Sequence, residues 1–223
     1  MEVPRSDLPA PRAAAPRVLL LIAAGAAVLM VLCMVALDEP VARWAATFEP
    51  ETGWTRVIEK LEWLVLLPPF RWLGPVVLAL GMLIAVAVPR WRGAAPAWMF
   101  MTATHLLGQL ATNYLKMWTG RLRPTEWLAN GGGDSFGWVT GFSFPSGHVA
   151  IFGSAIIPFV VLVPRAWPLL AIVAYAMVAR VAVNAHFLSD VVGAIALICV
   201  LTWIFGWLIR PLRPSASTPA RSP

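Results

Sequence analysis

The chain has 223 residues, of which 59% are hydrophobic and only 13% are charged. Because soluble domains carry about 25% charged residues, this composition excludes an ordinary soluble protein and indicates an integral membrane protein. The formal net charge of +6 would suggest nucleic-acid binding in a soluble protein, but here the basic residues follow a membrane topology, and we expect no nucleic-acid partner.

Six apolar runs approach or reach the length of about 20 helical residues that crosses the hydrocarbon core. In chain order they cover roughly residues 17–37, 72–88, 96–118, 149–163, 167–185 and 187–209. The sequence therefore predicts an all-α fold, an integral membrane bundle of six transmembrane helices that forms one domain over residues 17–210. The ends, residues 1–16 and 211–223, are rich in Pro, Ala, Ser and Arg and are predicted to be disordered and cytoplasmic.

The distribution of charge predicts the orientation. Nine arginines lie in the N-terminus, the second and fourth connections and the C-terminus, namely Arg5, Arg12, Arg17, Arg90, Arg92, Arg165, Arg210, Arg213 and Arg221. The first connection, residues 38–71, carries six acidic residues against four basic ones. The positive-inside rule then places both termini in the cytoplasm. The fifteen arginines against two lysines favour a GC-rich bacterium, and hence an inner membrane whose outer face is periplasmic.

Two of the predicted outer connections carry features of their own. Within the first, large apolar residues alternate with charged ones over residues 54–66. This pattern predicts an amphipathic segment in the periplasmic interface; alternatively, it continues the second helix up to Pro68 and Pro69. The glycines at 131–133 predict either a flexible rim over a site or a plain connecting loop.

The first polar cluster lies at the end of the third span. Lys116 precedes Arg123 by seven residues, with Arg121 between them. An ammonium and a guanidinium at a helix end form an anion-binding pair, and the planar guanidinium suits phosphate because it donates two parallel hydrogen bonds. Alternatively, these side chains snorkel to lipid headgroups, which is our interpretation of Arg121.

The second cluster is Pro145-Ser146-Gly147-His148, directly before the fourth span. Ser146 is a natural N-cap, and the N–H groups of a helix start can bind an anion that Gly147 lets the backbone approach. His148 can give a proton to a leaving oxygen. Alternatively, the motif is a helix cap with a surface histidine.

The third cluster joins the last two spans. Arg180 lies near the end of the fifth span, where a charged side chain is costly unless it is paired or functional. His186 and Asp190 are four residues apart, which places them on one face of a helix that opens the sixth span. A carboxylate that holds one imidazole nitrogen as N–H leaves the other free as a nucleophile or base. Alternatively, the two residues form a structural contact.

The predicted topology brings all three clusters to the outer face. The remaining candidates for chemistry are few. Cys33 and Cys199 are predicted to be buried apolar residues, and His105 is predicted to make a polar contact inside the bundle. No cluster of Asp, Glu and His has the spacing of a divalent-metal site.

Together the clusters resemble the signature of the type 2 phosphatidic acid phosphatase (PAP2) superfamily of membrane lipid phosphatases. That signature is Lys, six residues and Arg-Pro; then Pro-Ser-Gly-His; then Ser-Arg, five residues, His, three residues and Asp. The match in order and spacing runs from Lys116 to Asp190, and the resemblance covers roughly residues 96–209. The one departure is Ala179, which stands where the signature has serine and removes a possible hydroxyl donor.

The resemblance implies a metal-independent phosphatase without a cofactor that removes phosphate from a lipid headgroup in the membrane. It implies that His186 attacks phosphorus and forms a phospho-histidine, that Asp190 orients it, and that His148 protonates the leaving group and then activates water. The implied phosphate-binding residues are Lys116, Arg123, Ser146, Gly147 and Arg180. Candidate substrates are undecaprenyl pyrophosphate, phosphatidylglycerol phosphate, phosphatidic acid and lipid A phosphate. The alternatives are a lipid-to-lipid phosphotransferase with the same pocket and a non-catalytic protein that binds or transports anionic lipid.

Overall fold

The computed structural model describes residues 15–48, 60, 67–133 and 140–209. Its α-helices, numbered in chain order, are α1 (Ala15–Leu32), α2 (Asp38–Ala45), α3 (Leu67–Ala87), α4 (Ala95–Thr119), α5 (Pro124–Ala129), α6 (Gly147–Leu162), α7 (Leu170–Ala182) and α8 (Leu188–Leu208). A π-helical turn, Cys33–Leu37, joins α1 to α2, and 3-10 turns, Pro89–Ala94 and Pro164–Leu169, precede α4 and α7. Since the described part of the chain has no β-strand, the predicted all-α class is confirmed.

The predicted spans are confirmed as helices, and three of the helical stretches are candidates for membrane crossings. Among the described residues, three helical stretches are long and apolar enough to cross a membrane: Arg17–Ala45, Pro164–Ala182 and Leu188–Leu208. Leu73–Ala87 and Gly147–Leu162 are apolar but shorter, and α4 is long but carries a series of polar side chains. Each predicted run coincides with a helix, while six complete crossings stay a prediction.

The first connection is shorter than predicted, because the helical chain continues from α1 through the π-helical turn into α2. Asp38, expected to open a loop, is instead the first residue of α2 and is fully buried. Most of the predicted amphipathic segment lies outside the described residues, which include only the helical Lys60. The ends predicted to be disordered also lie outside them, apart from the first two residues of α1.

The core surrounds α8, which packs along α1 and also against α6 and α7. One apolar cluster consists of Val149, Phe152, Val173, Ala176, Val191, Val192 and Ala194. A second cluster joins α8 to α1 and α6 through Leu19, Ala23, Ala150, Ile157, Ile198 and Cys199. Both Cys33 and Cys199 are free and buried, as predicted. This packing fixes the position of the first turn of α8, which carries Asp190, the last residue of the third polar cluster.

One face of α4 is polar and turned into the bundle. Nδ1 of His105 lies 2.9 Å from Oγ of Ser154, and Nε2 of Gln109 donates to the same oxygen at 3.3 Å. Polar groups inside a membrane bundle pair across helices in this way, because lipid tails cannot bond to them. The predicted contact of His105 inside the bundle is therefore confirmed.

Candidate active site

The chain that leaves α4 runs beside the segment that leads into α6. Gly120 ends α4 in the left-handed conformation, with φ of 57°, which favours glycine. The amide of Gly141 then donates to the Gly120 carbonyl and that of Ser143 to the Arg121 carbonyl, both at 2.9 Å. A Cβ atom at Gly141 would overlap the Arg121 carbonyl oxygen, so this close pairing requires glycine. The pairing holds Ser143 beside the end of α4.

Lys116, in the last turn of α4, connects the first cluster to the second. Its ammonium donates to the carbonyl of Phe142 at 2.7 Å and to that of Ser143 at 3.3 Å. Its Cε atom would be 3.5 Å from a Cβ atom at Gly147, so the side chain runs beside the first residue of α6. The ammonium is thus held against the segment that leads into α6, and anion binding by Lys116 stays a prediction.

The start of α6 offers polar groups to a ligand. Ser146 occupies the predicted N-cap position, but its hydroxyl makes no capping bond, and the sequence prediction is wrong on that detail. Among the described residues Oγ of Ser146 is buried without a hydrogen-bond partner, which is costly for a hydroxyl. The helical ladder begins with the bond from the Ala150 amide to the Ser146 carbonyl at 3.0 Å. The half-buried His148 lies in this first turn, where the helix dipole favours an anion.

A tight turn between α7 and α8 brings the backbone of His186 close to the backbone carbonyl of Arg180. The amides of Ala185 and His186 donate to the carbonyl of Arg180 at 3.0 and 3.2 Å. His186 lies in this turn, because α8 begins two residues later. The prediction that His186 and Asp190 share a helical face is therefore wrong, although the turn does bring the two side chains together.

Ser143 lies between the side chains of His186 and Asp190. Nδ1 of His186 is 3.5 Å from Oδ2 of Asp190 and 3.3 Å from Oγ of Ser143. Ser143 donates its hydroxyl proton to Oδ2 of Asp190, so its oxygen is left to accept a hydrogen bond from Nδ1. This pattern places the hydrogen of the neutral imidazole on Nδ1 and leaves the lone pair on Nε2.

The environment of His186 favours the neutral form of its ring. Burial lowers the pKa of His186 below its ordinary value of 6.5, and Asp190 opposes this shift through its hydrogen bond and its charge. The positive charges of Lys116 and Arg123 lower the pKa further. A neutral ring with its lone pair on Nε2 can act as a nucleophile or accept a proton.

Arg121 departs most from its sequence interpretation. It is only 1% exposed, and its guanidinium donates to Oδ1 of Asp190 and to Oδ2 of Asp38, both at 2.7 Å. It also donates to the hydroxyl of Ser189 at 2.7 Å, and its carbon lies 4.3 Å from the centre of the Phe187 ring. Two carboxylates thus balance a buried charge that would otherwise be very costly. The interpretation of Arg121 as a snorkelling side chain is wrong.

The two arginines predicted to bind phosphate, Arg123 and Arg180, lie at helix ends. Arg123 is exposed at the N-cap of α5, its amide donates to the Glu126 carboxylate at 2.8 Å, and its charge acts on His186. Arg180 is half-buried in the last turn of α7. Ala179, which replaces the serine of the family signature, is 1% exposed and packs in the interior.

Three polar residues of this site escape prediction from the sequence: Asp38, Ser143 and Ser189. A charged residue directly after a long apolar run, such as Asp38, is a signal for a buried partner, but nothing in the sequence points to Arg121 as that partner. Ser143 stands just before a matched motif, yet its contact with Asp190 depends on how two distant segments pair. The sequence can therefore indicate that a buried charged side chain needs a partner, but it does not identify which residue that partner is.

The comparisons with known proteins agree with the motif spacing. The model of the PAP2 superfamily matches residues 97–214, which is more than half of the chain. No curated protein and no solved structure matches the chain. The matched region includes every predicted catalytic and phosphate-binding residue. The chain therefore belongs to the PAP2 superfamily, whose members are phosphatases that act on phosphate esters.

Proposed function

We propose that the chain is a membrane lipid phosphatase that hydrolyses a phosphomonoester or pyrophosphate headgroup through a phospho-histidine intermediate. The observation that carries this proposal is the bonding of His186. Ser143 and Asp190 hold its Nδ1 side, and its neutral ring keeps a lone pair on Nε2. This is the state that a nucleophilic imidazole requires.

The proposed reaction has two steps. In the first, Nε2 of His186 attacks phosphorus, the bond from phosphorus to the leaving oxygen breaks, and protonated His148 gives that oxygen its proton. In the second, water attacks phosphorus, neutral His148 takes a proton from the water, and the bond between nitrogen and phosphorus breaks. One proton is given and one is regained, so the enzyme returns to its starting state. Asp190 stabilises the positive charge that the phosphorylated ring carries.

Phosphoryl transfer depends on positioning and on stabilising the charge of the non-bridging oxygens. In the proposal this task falls to Lys116, Arg123, Arg180, the Ser146 hydroxyl and the Gly147 amide. Its support is the position of Lys116 beside Gly147 and the buried Ser146 hydroxyl, which has no partner among the described residues. Within the same residues no group of three or more His, Cys, Asp or Glu side chains could hold a metal ion, and the proposed mechanism takes its charge stabilisation from side chains.

The proposed substrates carry an acyl or prenyl chain. Close to Lys116, α4 exposes Tyr114, Met117 and Trp118, and Phe142 is exposed beside them. An apolar surface next to the site suits a lipid whose chain stays in the bilayer while its phosphate enters the pocket. The candidates are undecaprenyl pyrophosphate, phosphatidylglycerol phosphate, phosphatidic acid and lipid A phosphate, met at the periplasmic side of a bacterial inner membrane with both termini cytoplasmic.

The experiment measures phosphate release from a panel of these lipids by purified protein in detergent with EDTA present. We expect release by the wild type and by His105→Gln, a histidine control outside the site. His186→Ala should lose roughly 10³-fold or more in kcat, as expected for loss of a nucleophile.

Each other outcome has a defined meaning. Equal release by wild type and His186→Ala would contradict the assigned nucleophile, and complete loss in EDTA would contradict the metal-independent mechanism. Transfer of phosphate to a second lipid without free phosphate would indicate a phosphotransferase. Binding of anionic lipid without turnover would indicate a binding or transport protein.

A further inference from the structure

A buried chain of polar groups runs from the first membrane stretch to Asp190. Asp38 lies within the stretch Arg17–Ala45 and is 0% exposed. Its Oδ1 accepts the amide of Ser189 at 2.9 Å, and its Oδ2 accepts both the Ser189 hydroxyl and Nη2 of Arg121, the latter at 2.7 Å. Nη1 of Arg121 then donates to Oδ1 of Asp190 at 2.7 Å. These four residues form what we call the Asp38–Arg121 network.

Each bond of the network constrains the next. Because the guanidinium is planar and rigid, fixing Nη2 on Asp38 also directs Nη1 at Oδ1 of Asp190. With Oδ1 held, Oδ2 of Asp190 faces the Ser143 hydroxyl and lies 3.5 Å from Nδ1 of His186. A continuous series of contacts thus connects Asp38 to Nδ1 of His186 through Arg121 and Asp190.

We propose that Asp38 is a positioning residue for the reaction, which orients Arg121 so that Asp190 keeps the hydrogen of His186 on Nδ1. The kinetic part of this inference rests on the proposed phosphatase function. Asp38 lies outside residues 97–214, the region that matches the family. The first membrane stretch would therefore complete a site whose signature residues all come from the matched region.

Stability alone is a weak explanation for the network. Replacing a buried ion pair with well-packed apolar residues is often neutral or stabilising, whereas removing one partner leaves a costly unpaired charge. A planar Arg121 held at both ends instead fixes the Oδ1 side of the Asp190 carboxylate, while the Phe187 amide and the Ser143 hydroxyl hold its Oδ2 side. Without a carboxylate at position 38, Nη2 keeps at most a neutral amide oxygen as its acceptor on that side, and the guanidinium is held less firmly in the plane that meets Oδ1 of Asp190.

Asp38→Asn tests the proposal, because it keeps the shape of the side chain but presents no carboxylate to Arg121. Glu39→Gln is the matched control, since it removes the same charge from the adjacent, exposed residue. In detergent, the folded fraction and thermal unfolding of each protein are measured first. We expect kcat of Asp38→Asn per folded molecule to fall roughly 10- to 100-fold, the range for losing a partner that orients a functional imidazole. KM should change little, because the phosphate-binding cations are untouched.

A second readout does not require activity. ¹⁵N NMR of imidazole-labelled protein reports the tautomer, and with three histidines in the chain the His186 signals are identified by their loss in His186→Ala. We expect hydrogen on Nδ1 in the wild type and in Glu39→Gln, and a mixture of tautomers in Asp38→Asn. Should Asp38→Asn fail to fold, Ser189→Ala, which removes only the bridging hydroxyl, is measured in the same way with a smaller expected effect.

A folded Asp38→Asn, or Ser189→Ala in its place, with the tautomer of the wild type would overturn the positioning role. The positioning role would also be overturned if kcat/KM fell only because KM rose, or if a smaller folded fraction accounted for the whole loss of activity. If Asp38→Asn changes the tautomer of His186 but the wild type hydrolyses no lipid phosphate, the positioning of His186 would be supported and only the proposed function would be contradicted.

Discussion

Ser143→Ala should uncouple His186 from Asp190 while leaving both residues in place. In the structure the Ser143 hydroxyl stands between Nδ1 of His186, at 3.3 Å, and Oδ2 of Asp190. Without it, the nearest oxygen of Asp190 is 3.5 Å from Nδ1, beyond the range of about 2.7–3.2 Å for a good N–H···O bond. The variant ring would lose most of the preference that holds its hydrogen on Nδ1.

The expected loss of kcat follows from the free energy that such a hydrogen bond contributes. Hydrogen bonds that involve a charged group contribute about 1.5–3 kcal/mol, and the Ser143 hydroxyl links His186 to a carboxylate. Since about 1.4 kcal/mol in the barrier corresponds to a factor of ten, kcat should fall roughly 10- to 100-fold. KM should stay close to that of the wild type, because Ser143 contributes no side chain to the proposed phosphate-binding set.

The assay is the steady-state release of phosphate from a lipid that the wild type hydrolyses. Ser154→Ala is the matched control, because Ser154 is equally buried but bonds to His105 inside the bundle. Thermal unfolding of both variants separates a loss of catalysis from a loss of folded protein. If Ser143→Ala kept the kcat of the wild type, or changed KM alone, the reasoning about the tautomer of His186 would be refuted.

Two further predictions concern charge and packing. Protonation of His186 blocks its attack, so activity should fall as the pH drops through the pKa of His186. The positive charge of Lys116 lowers this pKa. Because Lys116→Gln removes that charge, the pKa should rise, and the acid limb of kcat/KM should move to higher pH. A pH profile of Lys116→Gln that stays in place or moves to lower pH would contradict this assignment. Gly141→Ala should destabilise the protein by about 1–3 kcal/mol, because its Cβ atom would overlap the Arg121 carbonyl oxygen. Gly133→Ala, where no atom of the described residues lies within 4 Å of the Cβ position, should unfold close to the wild-type temperature, and equal effects of the two substitutions would disprove the packing argument.

Much of the architecture is readable from the sequence, because its signals are local. An apolar run identifies a helix wherever it lies in the fold, and each of the six predicted runs coincides with one. The main error concerns Asp38, since Asp38-Glu39-Pro40 reads as the end of a helix. Proline is tolerated in the first turn of a helix, and Arg121 balances the charge of Asp38, so α2 continues the chain where a loop was expected.

The residues of the candidate site also fall into two groups, those that the sequence predicts and those that only the tertiary structure shows. Motif spacing alone selects Lys116, His148, His186 and Asp190, because the chemistry of phosphoryl transfer requires those residue types near one another. Their supporting partners are a property of the tertiary structure. Asp38 reaches Arg121 only because α1 packs along α8, and Ser143 reaches His186 only because two loop segments pair. Contacts between distant segments have no local signature, so the sequence determined which residues could do chemistry and the fold decided how they are held.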